Sequence, residues 1–267
     1  MDLPLFPLHT VLCPGVALPL HVFEERYRVM VGRCIDLGEP FGVVLIRQGR
    51  EVGPLDGRIA RVGTTALIRE AGRYPDGRYD LMTVGGRRFR IADVENGPEP
   101  YLTADVRYLD EPIGDALTAR GLSERVSQRF LRYLELLQPA LDDDDGPEIE
   151  IEVIVDDEPD AERSEGSGAA GRPEHEDVTA GTDADRRELL MAAARRLVTP
   201  EDPTALSYVL AGLVHVELPA RQGLLEAMDT EARLRRLDDL LSREIRLLDR
   251  HLKPLVVDAR GAESRRN

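Results

Sequence analysis

Four prolines in the first nineteen residues, Pro4, Pro7, Pro14 and Pro19, most restrict how this chain can fold. Each removes a backbone donor, so the stretch cannot be helical and suits edge strands and turns. A pair of short strands is the reading. In the second, Val16, Leu18, Leu20 and Val22 point one way and Ala17, Pro19 and His21 the other, as in a half-buried strand. The period then changes. Phe23, Tyr27, Met30, Cys34 and Leu37 share one face of a helix, and Gly38 suits the left-handed residue that would close it.

Strand signals continue to about residue 108. Phe41 to Ile46 is a continuous apolar run, fit for a strand buried on both faces. Val62, Thr64, Ala66 and Ile68 alternate with Arg61, Gly63, Thr65 and Arg69. Asp76-Gly77 predicts a tight turn into Tyr79–Val84, and Gly85-Gly86 predicts another before Arg88–Ile91. Leu102, Ala104, Val106 and Tyr108 alternate again. Several short strands at this spacing imply a small, partly closed barrel with one inserted helix.

After Pro112 the pattern turns helical, with Leu122, Val126, Phe130, Tyr133, Leu137 and Leu141 on one stripe. Residues 142–185 interrupt it with 18 acidic side chains and two arginines. This stretch carries the whole net charge of −15, and the rest of the chain is near balance. Glu148–Val155 alternates acid with Ile and Val, which suits a short strand; 156–185 has too little apolar surface to offset its ordering entropy. Helical patterning returns near Arg186. Asp202-Pro203 reads as an N-cap and first helical residue, Pro219 opens a short helix, and Asp229 caps a last one. Along that last helix, Leu234, Leu237, Leu241, Ile245, Leu248 and Leu252 share a side. The expected class is α+β. Residues 1–112 form a β-rich subdomain and 113–141 the first helix of a helical subdomain. Residues 142–185 form a largely disordered acidic insertion, 186–254 complete the helical bundle, and 255–267 are a flexible tail. The open alternative is that 1–141 folds alone.

The opening run Leu3-Pro-Leu-Phe-Pro-Leu8, with Pro14-Gly15, Leu18-Pro19-Leu20, Phe23-Glu24 and Arg26-Tyr27, resembles the start of the Lon protease N-terminal, substrate-binding domain. Later fragments agree in order: Phe41–Ile46, Val52-Gly53, Val62-Gly-Thr64, Gly86–Ile91, Asp202-Pro203, Gln222–Glu226 and Arg233-Leu234. The resemblance implies a PUA-like β pseudo-barrel followed by a helical bundle, and recognition of exposed or unfolded polypeptide segments.

Catalytic chemistry finds little support. No Gly-Lys pair exists to build a phosphate-binding loop. The only lysine, Lys253, stands beside Pro254 in no catalytic context, whereas the Lon peptidase pairs a serine with a lysine. The histidines His9, His21, His175, His215 and His251 face no serine in a Gly-x-Ser-x-Gly elbow. Cys13 and Cys34 cannot alone complete a zinc site, and Cys34 reads as a buried thiol. Asp142–Asp145 lacks the register of a calcium loop. No catalytic, cofactor or metal residue is assigned. With no leader and no apolar run long enough to cross a bilayer, the expectation is a cytoplasmic protein with no membrane partner.

The expected function is therefore non-catalytic polypeptide binding by a stand-alone Lon-like recognition domain, as an adaptor or regulator working beside a protease. A groove between barrel and helices is the preferred place. Phe23, Tyr27 and Met30 offer an aromatic and methionine surface, although one helical face suits core equally. Two alternatives stay open. One is RNA binding through Arg87-Arg88, Arg90, Arg186-Arg187, Arg195-Arg196 and Arg235-Arg236, against which the interleaved acids weigh. The other is hydrolysis, which needs a histidine beside a serine or cysteine.

Overall fold

Prolines decide how the first strand is used. A computed structural model describes residues 2–47, 58–95, 97–141 and 202–250, with the side chains of 138–141 outside the description. Strand β1 (Asp2–Leu8) pairs through Asp2–Pro4 with one neighbour and through Leu5–Leu8 with another. Each half is thus an edge where the other is paired, which is how Pro4 and Pro7 are tolerated inside a sheet. Strand β2 (Ala17–Val22) does not pair with β1, contrary to the strand pair read from sequence; it runs antiparallel to β5 (Tyr79–Glu95).

The remaining strands among the described residues are β3 (Phe41–Leu45), β4 (Val62–Arg73) and β6 (Thr103–Tyr108). The order is β2-β5-β4-β3-β1-β6, and a further β5–β6 pairing closes β5, β4, β3, β1 and β6 into a ring. One strand makes this closure possible. β5 is 17 residues long; Tyr79–Val84 pairs with β2, and Phe89–Glu95 pairs with β6. The Gly85-Gly86 turn predicted from sequence is absent, because both glycines continue β5. They serve a close approach instead. A Cβ on Gly85 would lie 2.0 Å from the Cys13 carbonyl oxygen, so only glycine lets the β1–β2 connection cross there. The Asp76-Gly77 turn is present and joins β4 to β5, with Arg73 opposite Tyr79.

Helix α1 (Glu25–Leu37) covers one side of the barrel and ends at Gly38 in the left-handed conformation, φ 65°. Tyr27, Met30, Val31 and Cys34 pack with Phe6, Phe41, Val43 and Leu81, and the Tyr27 ring stacks on Phe6 at 4.1 Å between centroids. The helix starts at Glu25, two residues later than the apolar stripe suggests, and leaves Phe23 and Leu37 exposed.

Among the described residues four helices follow: α2 (Ala116–Leu141), α3 (Pro203–Leu213), α4 (Leu218–Leu225) and α5 (Thr230–Asp249). Asp202 and Asp229 cap α3 and α5 as expected, accepting from Thr204 N and Ala232 N. Helices α2 and α5 run parallel, as Arg125 and Arg129 reach Asp238 and Arg132 reaches Asp249. Their apolar faces share one core with the barrel. Val11, Cys13, Leu45, Ala60 and Val62 pack together with Phe130, Leu210, Leu234 and Leu237. The predicted strand at 148–155, the acidic insertion, the start of the helix near Arg186 and the tail lie outside the described residues.

Candidate functional site

A cleft of about 270 Å³ lies where barrel and bundle meet. Pro14, Gly15 and Gly86 line it from the barrel and Ala205, Tyr208 and Val209 from α3; Arg87, Glu111 and Asp202 supply its charges. Behind Glu111 lies a buried polar network. Arg88 donates from Nε and Nη2 to the two Glu111 carboxylate oxygens at 2.8 and 3.0 Å. Its Nη1 donates to the carbonyls of Leu225, the last residue of α4, and of Ala227 just beyond it, at 2.6 and 2.9 Å. Tyr208 OH donates to Glu111 and accepts from Arg233 at 2.6 Å. Arg233, fully buried, also donates to Ser207 Oγ and lies 3.6 Å over the Tyr208 ring. Burial pushes the Tyr208 phenol up and holds the Arg233 guanidinium below its usual range. Both Glu111 oxygens accept hydrogen bonds from this strut, which fixes the carboxylate at the cleft wall.

β2 runs from this cleft to a second feature. Among the described strands β2 has one partner. Val16 O accepts from Gly85 N and Leu18 O from the Thr83 hydroxyl, so the Val16 carbonyl and, by alternation, the backbone groups of Leu18, Leu20 and Val22 turn toward β5, while Val16 N donates to the Cys13 carbonyl. By antiparallel alternation Ala17, Pro19 and His21 turn theirs outward. Pro19 has no donor, leaving Ala17 and His21 N–H on the open edge. Beside its far end stand exposed aromatic side chains. Phe23 is 63% exposed, and the His21 ring lies 6.2 Å from both Phe23 and Tyr74. One carboxylate fixes this platform: Asp80 accepts from Tyr74 OH and meets His21 Nδ1 at 2.5 Å. Those bonds hold the Asp80 carboxyl below the usual range. Arg78 covers the Tyr74 ring and pairs with Asp76 at 2.7 Å.

The sequence candidates scatter. Phe23 is on the surface, whereas Tyr27 and Met30 are core. His9 and His21 are exposed, and the His21 ring reaches Asp80 and Arg78, neither a nucleophile. His215 follows α3 on the exposed side, where partial desolvation and the Arg221 charge lower its pKa. Cys13 and Cys34 are buried free thiols, each raised by burial to about 11. Arg88 is buried, which removes it from any nucleic-acid surface, and Arg235 and Arg236 are bound to Glu231 and to the Gly223 carbonyl. Among the described residues no group of three or more His, Cys, Asp or Glu is placed to hold a metal. His175, His251, Lys253, Arg186-Arg187, Arg195-Arg196 and Asp142–Asp145 lie outside the described residues. Glu111, Tyr208 and Tyr74 escaped the sequence reading. Arg233 carried a signal, since it falls on the apolar stripe with Thr230 and Leu237.

A barrel whose long strand serves two ladders, joined to a bundle through a buried arginine strut, can be compared with known proteins. The model of the ATP-dependent protease La (LON) substrate-binding domain matches residues 2–243. The chain belongs to the Lon substrate-binding domain family. Lon protease 2 of Herpetosiphon aurantiacus is 24% identical over 251 residues, 93% of this chain and 24% of that protein. Lon protease of Flavobacterium johnsoniae is 31% identical over 112 residues, 42% of this chain and 14% of that protein. The chain therefore spans a quarter or less of the length of these Lon proteases. Among solved structures, the N-terminal domain of Mycobacterium avium complex Lon protease is similar with a TM-score of 0.51 and 19% identity, covering 91% of this chain and 98% of that one. The Lon N-terminal fold, α+β with a ring of strands and helices, is thus shared. Among the described residues no helix is long and apolar enough to cross a membrane.

Proposed function

We propose that this member of the Lon substrate-binding domain family captures extended segments of other polypeptides along the open edge of β2 and leaves their bonds intact. The supporting observation is the coincidence on one strand of three features: outward backbone groups at Ala17 and His21, the Phe23–His21–Tyr74 platform at one end, and the cleft beside Pro14-Gly15 at the other. Six residues of strand span about 20 Å. An added strand of that length would lay one side chain on the aromatic platform and turn another into the cleft, with backbone bonds supplying affinity and the end positions selectivity. The cleft is small, fitting a side chain rather than a larger ligand. Within a cytoplasm the protein would act as an adaptor or regulator of proteolysis, holding clients without processing them.

Titration with a fluorescently labelled unfolded client should show saturable binding. Phe23→Ser with Tyr74→Ser should weaken it at least about tenfold, a loss of ~1.4 kcal/mol. Both side chains are exposed, so the melting temperature should hold. No saturation at tens of micromolar, or unchanged binding by the double variant, would refute the reading.

A further inference from the structure

Three of the most exposed large apolar side chains flank one junction far along the sequence from β2. Leu117 is 84% exposed, Met228 77% and Ile113 43%. The turn before α2 is hooked onto the start of α5: Thr230 N donates to Pro112 O, Glu231 N to Ile113 O, and Asp115 N to Glu231 Oε2 at 2.9 Å. Gly114 sits at φ +81°, and a Cβ there would come within 2.9 Å of the Glu231 side chain. The backbone presenting Ile113 is thereby held in one conformation. Met228 immediately precedes the Asp229 cap, and Leu117 lies in the first turn of α2. Flexible methionine beside two aliphatic groups suits an adaptable contact.

The polar surroundings have a sign. Asp110 and Asp115 are exposed and Asp229 half-buried. Asp115 and Asp229 bond backbone N–H groups, those of Thr118 and Ala232, while Glu231 is paired with Arg235. The two helix starts soften the cap charges without reversing them. The net charge of −15 belongs to residues 142–185 and not to this face, whose cations are Arg235, paired with Glu231, and Arg120, 3.9 Å from Glu124, so Asp110, Asp115 and Asp229 leave it acidic. A second copy would bring the same carboxylates against these, and an anionic lipid surface would be repelled.

We propose that the Ile113–Leu117–Met228 surface docks a partner protein through an amphipathic segment bearing apolar residues flanked by lysine or arginine. The surface is separate from the β2 edge and does not depend on the client-binding reading.

The test uses the full chain, ¹⁵N-labelled, with two synthetic amphipathic helical peptides, one of leucine and lysine and one of leucine and glutamate. The lysine peptide should shift amides of Ile113–Leu117 and Met228–Glu231, saturably and more weakly as salt rises. Leu117→Arg with Met228→Arg should weaken it at least about tenfold at an unchanged melting temperature. Phe23→Ser should leave it unaltered. Shifts confined to the acidic 142–185 stretch or to β2, equal binding of the glutamate peptide, or an indifferent double variant would overturn the proposal. So would self-association in sedimentation that Leu117→Arg with Met228→Arg abolishes, which would assign the surface to a second copy.

Discussion

Arg88 and Arg233 show how far a charged residue's role depends on its neighbours. In the sequence Arg88 stands in an arginine run and reads as a surface charge; in the fold its donors tie β6's exit and the carbonyls of Leu225 and Ala227, at the end of α4 and just past it, to the barrel. Arg88→Met should cost about 3 kcal/mol or more in urea unfolding, because Glu111 loses its bidentate partner and two carbonyls lose their donor. The thiols give a second expectation. Burial raises both Cys13 and Cys34 from 9.0 to about 11, so the folded protein keeps them protonated where the unfolded chain ionises. Their contribution is complete below pH 9 and is lost as pH rises toward about 11. Stability should therefore fall over that window, and less so in Cys13→Ala/Cys34→Ala relative to its own value at pH 8. Disulfide reagents should not label either thiol in the folded state near pH 8. Burial of Cys34 was legible from its place on an apolar stripe. Partners such as Glu111 and Tyr208 were not, because 97 residues separate them and no local pattern encodes a contact at that range.

At the scale of the element, helix signals transferred well because their physics is local. Asp202-Pro203, Asp229 and Gly38 each mark an end through a hydrogen bond or a backbone angle within a few residues. Strand signals located β3, β4 and β6 but could not say which strands pair. β1 divides itself between β3 and β6, and Gly85-Gly86 mimics a turn while marking a crossing. Gly85→Ala should unfold the protein or lower its stability by more than about 3 kcal/mol, since backbone rather than a movable side chain blocks the added methyl. Thermal melts followed by circular dichroism would show it. The open edge of β2 makes its own forecast. Ala17→Pro deletes one of its two outward donors and leaves the ladder to β5 intact. Client affinity should drop severalfold with the melting temperature little changed; equal affinity would argue against strand addition.

For the molecule as a whole, the shared core sets the cooperativity. Barrel residues Val11, Cys13, Leu45 and Val62 are packed in the same cluster as α2, α3 and α5, and Gln222 donates to Val62 O at 3.0 Å. We propose that barrel and bundle unfold in one transition, with calorimetric and van't Hoff enthalpies in agreement. Two separated transitions, or a folded 1–141 fragment, would show that they are independent. Family membership was readable from the order of many short fragments, and Phe23 was readable as a surface candidate, although its companions Tyr27 and Met30 are core. The exposure of Leu117 and Met228 was not, because they become conspicuous only once their neighbours are buried and they are not.

The arginine strut also makes the protein its own optical probe. The chain has seven tyrosines, five phenylalanines and no tryptophan, so tyrosine shapes the long-wavelength end of its near-ultraviolet spectrum. Tyr208 is held between Arg233 and Arg88, at 3.6 and 5.7 Å from its ring, with its hydroxyl on a carboxylate. A phenol so bound should absorb to the red of its fellows and emit weakly. Any loosening of the bundle from the barrel would brighten it, without a label.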